Sequence, residues 1–166
     1  MPKPTQYATP ICIVLSIVAV IGVVLGFYLK NPLIPTILVL PAVAYEVYRT
    51  EGKSTRWSSI GILLLIIAEL VLIFAKVNFD LAGYLGQGEK YVGGYLVPLG
   101  DIKVITPVII AVLSIVLFFR TYGKYTKWLA VVIFASCFAI IYIINPSFFS
   151  QLIKVVVDEG LYRIRY

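Results

Sequence analysis

The sequence contains no histidine, and this absence removes several kinds of chemistry at once. Haem ligation by imidazole, most zinc sites and the usual proton shuttle near neutral pH depend on that side chain. Only two cysteines are present, Cys12 and Cys137, and each lies inside a long apolar segment without a C-x-x-C pattern. Both are expected to be small packing residues. The sequence therefore predicts no metal site and no cofactor.

Charge is also scarce, since charged residues make up 13% of the chain and hydrophobic residues 61%, with a mean hydropathy of +0.99. The apolar residues form long blocks instead of the amphipathic pattern of a soluble helix. This composition predicts an all-α integral membrane protein with several spans. The net charge of +6 belongs to no basic soluble domain, so we expect no nucleic-acid partner.

Five apolar segments can span a bilayer as helices within one membrane domain. They are residues 8–29, 33–48, 58–77, 104–119 and 128–144 of the 1–166 chain. The two shortest segments extend only about 24 Å at 1.5 Å per residue, which is less than the thickness of the hydrocarbon core. We expect snorkelling of the flanking arginines and local thinning of the bilayer to compensate for this difference. The first segment is longer than the apolar core of a secretory signal and lacks a cleavage site, which predicts a retained helix.

Basic residues cluster in two short loops that lie on the same side of the membrane if all five segments span. These residues are Arg49, Lys53, Arg56, Arg120, Lys124 and Lys127. The positive-inside rule then predicts a multi-pass protein of the cell membrane with a cytoplasmic N-terminus and an extracytoplasmic C-terminus.

The two loops also repeat each other. Residues 48–57 read YRTEGKSTRW and residues 119–128 read FRTYGKYTKW, with six of ten positions identical at an offset of 71. This similarity predicts two parallel-repeat helical hairpins, 33–77 and 104–144, preceded by an N-terminal helix. In the structural interpretation, each glycine takes a left-handed geometry after a helix, and Thr55 and Thr126 cap the returning helices. The alternative is a binding site for anionic lipid headgroups or for an acidic partner surface.

Two further segments, residues 78–103 and 145–166, lie outside the membrane in this topology. The second has two runs with strand character around a D-E-G turn and can pair with the first as a small extracytoplasmic β cap. The alternative is a re-entrant or interfacial loop with its tyrosines at headgroup depth. Both interpretations remain open.

The first helix carries small residues four positions apart at Gly22 and Gly26. Such spacing lets two helices approach closely in a membrane. A chance match is common in apolar helices, so packing within the chain is favoured over a dimer interface.

An acid, Glu69, lies past the middle of the third segment with only apolar residues three and four positions away. An ionised carboxylate in lipid costs at least about 2.5–3.5 kcal/mol, so Glu69 must be neutral, face protein or contact water. Three groups near its depth are candidate partners: Ser114, Tyr142 and the carbonyl that Pro41 leaves without a helical donor. Glu69 is interpreted as an interhelical hydrogen-bond donor, a contact to another subunit, or a proton- or cation-coupled site. Glu46, in contrast, is expected at the membrane surface beside the arginine three residues later.

The sequence favours a small non-catalytic accessory subunit of a larger membrane complex. Its expected partners are membrane lipids and either other membrane subunits or copies of itself. The alternative is a small oligomeric transporter or channel in which Glu69 couples to protons or cations. An enzyme is not expected, because a lone carboxylate cannot run two-acid chemistry and no nucleophile–base pair is present.

Overall fold

The computed structural model describes residues 7–76, 91–92, 95–96 and 102–146. Within this part of the chain, five α-helices follow one another: α1 (Ala8–Leu29), α2 (Leu33–Arg49), α3 (Lys53–Phe74), α4 (Ile102–Arg120) and α5 (Lys124–Ile144). Two very short antiparallel strands, β1 (Tyr91–Val92) and β2 (Tyr95–Leu96), form a hairpin between α3 and α4. The predicted pairing of this loop with the C-terminal tail involves residues 147–166, which lie outside the described residues.

Four of these helices are long and apolar enough to cross a membrane, namely α1, the Thr55–Phe74 part of α3, α4 and α5. This finding supports the predicted helical membrane protein. The helix α2 is the shortest of the five, with 17 residues, a proline inside it (Pro41) and Arg49 in its last turn.

The helices begin earlier at the two repeated loops than the hydropathy pattern predicted. Helix α3 starts at Lys53 instead of residue 58, and α5 starts at Lys124 instead of residue 128. Hydropathy marks the part of a helix that lies in lipid, whereas the backbone hydrogen bonds continue through the polar turn beyond it.

The predicted threonine caps are therefore wrong. The residues at the N-cap positions are Gly52 and Gly123, and Thr55 instead donates its hydroxyl to the carbonyl of Glu51 at 2.8 Å from inside the first turn. Gly52 has a φ of 106°, but it precedes α3, whereas Gly123 has an ordinary φ of −70°. The left-handed helix end that was predicted at both loops is absent from both described bends.

Helices α2, α3, α4 and α5 form a four-membered ring in which each helix packs against the next, and α5 closes the ring on α2. Helix α1 packs outside the ring across α2 and α5. Its peripheral position agrees with its burial: 22% of the residues in its most apolar 18-residue stretch are buried, compared with 44% for α5. The interior of the ring is filled by branched side chains, including Val39, Val43, Ile62, Ile66, Ile110, Leu117, Leu129 and Ile133. Because lipid is as apolar as these side chains, close packing rather than water exclusion holds the helices together.

Helix α1 approaches α2 closely at its two glycines. A Cβ atom at Gly22 would lie 2.7 Å from the Cβ of Leu38, and one at Gly26 would lie 2.7 Å from the Cδ of Pro35. Any larger side chain would push the helices apart. The glycines thus serve an interface inside the chain.

Both repeated loops lie at the same end of the bundle, which we call the bend end (residues 49–53 and 120–124). The guanidinium carbon of Arg49, at the first bend, lies 5.0 Å from the ring centroid of Tyr125, just past the second bend. The Tyr125 hydroxyl is also 2.9 Å from the hydroxyl of Thr9, so the first turn of α1 is at this end too. Three residues separate the helices at each bend.

Candidate functional site

Glu69 lies on the inward face of α3, in the stripe that contains Ile62, Ile66 and Ile73. It is only 1% exposed. Helix α3 ends five positions later, at Phe74, so Glu69 lies roughly one and a half turns from the end of the bundle opposite the bends. The structure thus places this acid against protein and away from lipid.

Cys137 of α5 lies within electrostatic range of Glu69. Cys137 is 2% exposed. Since α3 and α5 are on opposite sides of the four-helix ring, this proximity places the Glu69 side chain toward the centre of the ring.

The other sequence-predicted intramembrane residues have different surroundings. Ser114 is buried and donates its hydroxyl to the carbonyl of Ile110 in its own helix at 2.8 Å. Tyr142 is 45% exposed, and its ring packs edge-on against Phe27 of α1 with centroids 5.5 Å apart. Pro41 lies on the exposed outer face of α2, so the structure does not bring it together with the buried Glu69.

A second buried acid, Glu46, forms a cluster that the sequence analysis missed. We call Glu46, Thr50 and Ser59 the polar triad; they are 0%, 4% and 0% exposed. The Thr50 hydroxyl makes a short hydrogen bond to Oε1 of Glu46, and Ser59 donates to the same oxygen at 2.9 Å. Ser59 Oγ is also 3.0 Å from Thr50 Oγ1. The polar triad thereby ties the end of α2 to the start of α3.

The predicted surface position of Glu46 beside Arg49 is therefore wrong. Residues four apart share a helix face, so Glu46 and Thr50 both point toward α3, while Arg49 extends over Tyr125 of α5. The second carboxylate oxygen of Glu46, Oε2, is buried without a hydrogen-bond partner among the described residues. The E-x-x-x-T spacing at a helix end is the signal in the sequence that indicates this cluster.

The polar triad exists at one bend only. At the offset of 71, Leu117 takes the place of Glu46 and Thr121 takes the place of Thr50. The hydroxyl of Thr121 is buried, and within the described part of the chain it has no hydrogen-bond partner. The two bends thus share a backbone layout but differ in their buried polar groups.

The bend end combines basic side chains with exposed aromatic rings. Arg49 and Lys124 both lie over the Tyr125 ring, at 5.0 Å and 5.2 Å from its centroid, and Lys127 lies 5.4 Å from that of Phe118. Arg56 and Arg120 are exposed; for Lys53 only the backbone position, at the start of α3, is described. Large exposed rings here include those of Tyr48, Trp57, Phe119 and Tyr122. Such a mixture of cations and aromatic side chains suits the headgroup region of a membrane.

The two repeated tryptophans differ in their contacts. Trp128 donates its Nε1 hydrogen to the hydroxyl of Ser16 in α1 at 2.9 Å and is 42% exposed. Trp57, at the same place in the other loop, is 75% exposed. Helix α1 accounts for this difference because it packs on α5 and not across α3.

Four other buried hydroxyls form hydrogen bonds within their own helices. Thr36, Thr106, Ser114 and Ser136 each donate to the carbonyl four residues earlier in their own helix. Across residues 7–76, 91–92, 95–96 and 102–146, no three potential metal ligands of the His, Cys, Asp and Glu types come together. Comparison of the chain with protein-family models, curated proteins and solved structures gives no match. Its function is therefore inferred from the geometry of this bundle.

Proposed function

We propose that the protein is a five-span, non-catalytic subunit of a larger membrane complex. The observation that carries this proposal is the burial of its polar groups: Glu46 and Glu69 are 0% and 1% exposed, and most buried hydroxyls donate within their own helices or belong to the polar triad. A catalytic site needs polar groups that converge where a substrate can reach them. Along the helices, between the charged ends of the bundle, the exposed large side chains are instead branched and aromatic apolar residues.

In this proposal α2 is the fifth span. Its 17 residues extend about 25 Å, slightly less than the hydrocarbon thickness of a bilayer. It lies between α1 and α3 in the bundle and is flanked by both. The deficit of a few ångströms is small enough for bilayer thinning and for snorkelling of Arg49.

The bend end faces the cytoplasm in this proposal, because it carries most of the basic residues of the short loops. The N-terminus is then cytoplasmic, and the chain leaves α5 on the opposite side. The basic side chains at the bends bind anionic lipid headgroups, which are concentrated in the cytoplasmic leaflet.

The two hairpins, α2–α3 and α4–α5, are proposed to be copies of one ancestral hairpin. The equal offset of 71 and the three-residue connections at both bends support this duplication. In the ring, α2 lies opposite α4 and α3 lies opposite α5, as expected for parallel repeats related by an axis along the membrane normal.

Native mass spectrometry of the protein, extracted gently from its own membranes, tests the subunit proposal. The expected result is a complex of fixed stoichiometry that contains this chain and at least one other membrane polypeptide. A stable isolated monomer, under conditions that preserve a known complex from the same membranes, would overturn the proposal.

A second function, proton- or cation-coupled transport, is favoured by one observation. Glu69 is an ionisable side chain on the inward face of α3 at 1% exposure, and ionisable residues buried inside membrane bundles commonly serve transport. If the protein transports, Glu69→Gln will abolish coupled flux in reconstituted vesicles, whereas Glu46→Gln, a matched change at the other buried acid, will retain it. Equal flux in wild-type protein and Glu69→Gln would exclude this function.

A further inference from the structure

The ring has two quasi-equivalent edges, and only one of them is covered. Helix α1 packs across α2 and α5, which we call the covered edge. The offset of 71 relates α2 to α4 and α5 to α3, so the counterpart of the covered edge is formed by α4 and α3, the open edge. Among the described residues, no helix packs across the open edge as α1 packs across the covered one.

The side chains that hold α1 have counterparts that are exposed at the open edge. Leu38, which contacts α1 at Gly22, corresponds to Ile109, which is 43% exposed. Trp128, which donates a hydrogen bond to α1 at Ser16, corresponds to Trp57, which is 75% exposed. Among the described residues, no helix at the open edge offers Trp57 a hydroxyl acceptor as α1 offers Ser16 to Trp128.

The charges at the open edge indicate which kind of helix fits it. Arg120 and Arg56 are both exposed at its bend end. At the covered edge, the corresponding arginine, Arg49, lies over Tyr125, which is bonded to Thr9 in the first turn of α1. The residue that corresponds to Tyr125 is Ser54, so no aromatic ring is available at that position to cover Arg120. An acidic residue in the first turn of a docking helix would complement this charge.

We propose that the open edge binds one transmembrane helix of a partner subunit that resembles α1. This helix has small residues four apart facing Ile109, a hydroxyl one to two turns further toward its cytoplasmic end that accepts from Trp57, and an acidic residue in its first turn near Arg120. The inference rests on the proposed function and specifies the surface through which the subunit joins its complex.

The helix α1 itself provides the probe. A synthetic peptide of residues 7–30 with Val23→Cys, a half-buried position next to Gly22 that leaves the glycine itself unchanged, is added to the full-length chain carrying Ile109→Cys in lipid vesicles, and disulfide formation is followed under mild oxidation. Both native cysteines are replaced by alanine throughout. The matched control is Ile115→Cys on the same helix, because residue 115 is equally exposed, at 42% against 43%, but is rotated by about 120° from residue 109.

The expected result is a peptide–protein disulfide at position 109 and little at position 115. In a second arm, Thr9→Glu in the peptide should raise the cross-linking rate about two- to fivefold, the range of one solvent-exposed ion pair. Arg120→Gln in the protein should remove that gain, while Arg49→Gln, the same change at the covered edge, should keep it.

Four outcomes would overturn the proposal. Equal cross-linking at positions 109 and 115, or equal cross-linking by a polyleucine peptide with cysteine at the same position, would show that lipid alone covers the edge. Disulfide-linked dimers of the full chain through position 109, formed in preference to the peptide adduct, would identify a second copy as the occupant. Circular dichroism of the peptide in the same vesicles confirms insertion, so that absence of the adduct also counts against the proposal.

Failure here is distinguishable from failure of the proposed function. If the peptide does not bind but the protein is isolated within a stoichiometric complex, then the subunit function stands and the docking surface lies elsewhere. If the peptide binds but the protein is isolated as a monomer, the edge accepts a helix while the subunit function fails.

Discussion

The close contact between α1 and α2 makes Gly26→Ala an informative perturbation. The new methyl group would lie 2.7 Å from Pro35 Cδ and 3.0 Å from Ile143 Cδ1. The proline ring cannot rotate away, because it is fixed to the backbone of α2. Helix α1 must therefore move outward and lose contacts along its length. Overpacking of this kind costs about 1–3 kcal/mol, against which alanine recovers up to about 1 kcal/mol of helix propensity. We expect a net loss of about 1–2 kcal/mol.

A matched substitution is available in α3. A Cβ atom at Gly61 would find its nearest neighbour, Leu113 Cδ1, at 4.0 Å, which is ordinary van der Waals contact. Gly61→Ala should consequently leave stability unchanged or raise it by up to about 1 kcal/mol. The two variants make the same chemical change in two helices of the same bundle, so that packing is the main difference between them.

The free energy of unfolding is measured by titrating each variant with sodium dodecyl sulfate in mild detergent micelles while helicity is followed by circular dichroism. Thermal unfolding provides an independent ranking. The reasoning would be refuted if Gly26→Ala unfolded at the same point as the wild-type protein. It would also be refuted if the two alanine variants were destabilised equally.

Three further predictions follow from the polar triad, the tryptophans and the bends. Glu46→Leu should lower the free energy of unfolding by about 1–2 kcal/mol relative to Glu46→Gln in the same titration. The amide oxygen of glutamine can still accept hydrogen bonds from the hydroxyls of Thr50 and Ser59, whereas leucine accepts none. Equal stability of the two variants would mean that the polar triad does not stabilise the protein. In the same titration, Trp128→Phe should destabilise the isolated chain by about 0.5–1.5 kcal/mol through loss of its hydrogen bond to α1. Trp57→Phe should have no measurable effect on the free energy of unfolding. If Trp57→Phe were the more destabilising change, the packing of α1 described above would be contradicted. Single cysteines at Lys53 and Lys124 should react with a membrane-impermeant maleimide from the same side of oriented vesicles, and labelling from opposite sides would disprove the shared bend end.

The bends illustrate what a local pattern predicts and where it fails. The repeated loops marked the positions where α2 and α4 end, because a cluster of basic residues and glycine interrupts an apolar run there. The same pattern misplaced the starts of α3 and α5 and their caps. A threonine three residues into a helix looks like a cap in sequence, but its hydroxyl can equally donate to a carbonyl of the preceding turn, as Thr55 does.

Glu46 and Glu69 show more clearly which properties a sequence pattern does not predict. Each acid was visible in the sequence, and the depth of Glu69 along its helix followed from counting residues at a fixed rise. The direction in which each side chain points was not predictable in this way. It depends on the rotation of α2 and α3 about their own axes, and in apolar helices with little amphipathic pattern that rotation is set by neighbouring helices.

The sequence by itself determined that the chain forms long apolar helices, where most of them end, and that two loops share one motif. These properties depend on composition and on interactions within a few residues, which a linear pattern records. Only the tertiary structure decided that four helices close into a ring with α1 outside it, that Glu46 turns inward to Thr50 and Ser59, and that one tryptophan is bonded while its counterpart is exposed. Each of these depends on which helix lies beside which, and among helices of nearly uniform hydrophobicity that choice is made by the fit of side chains across the interfaces.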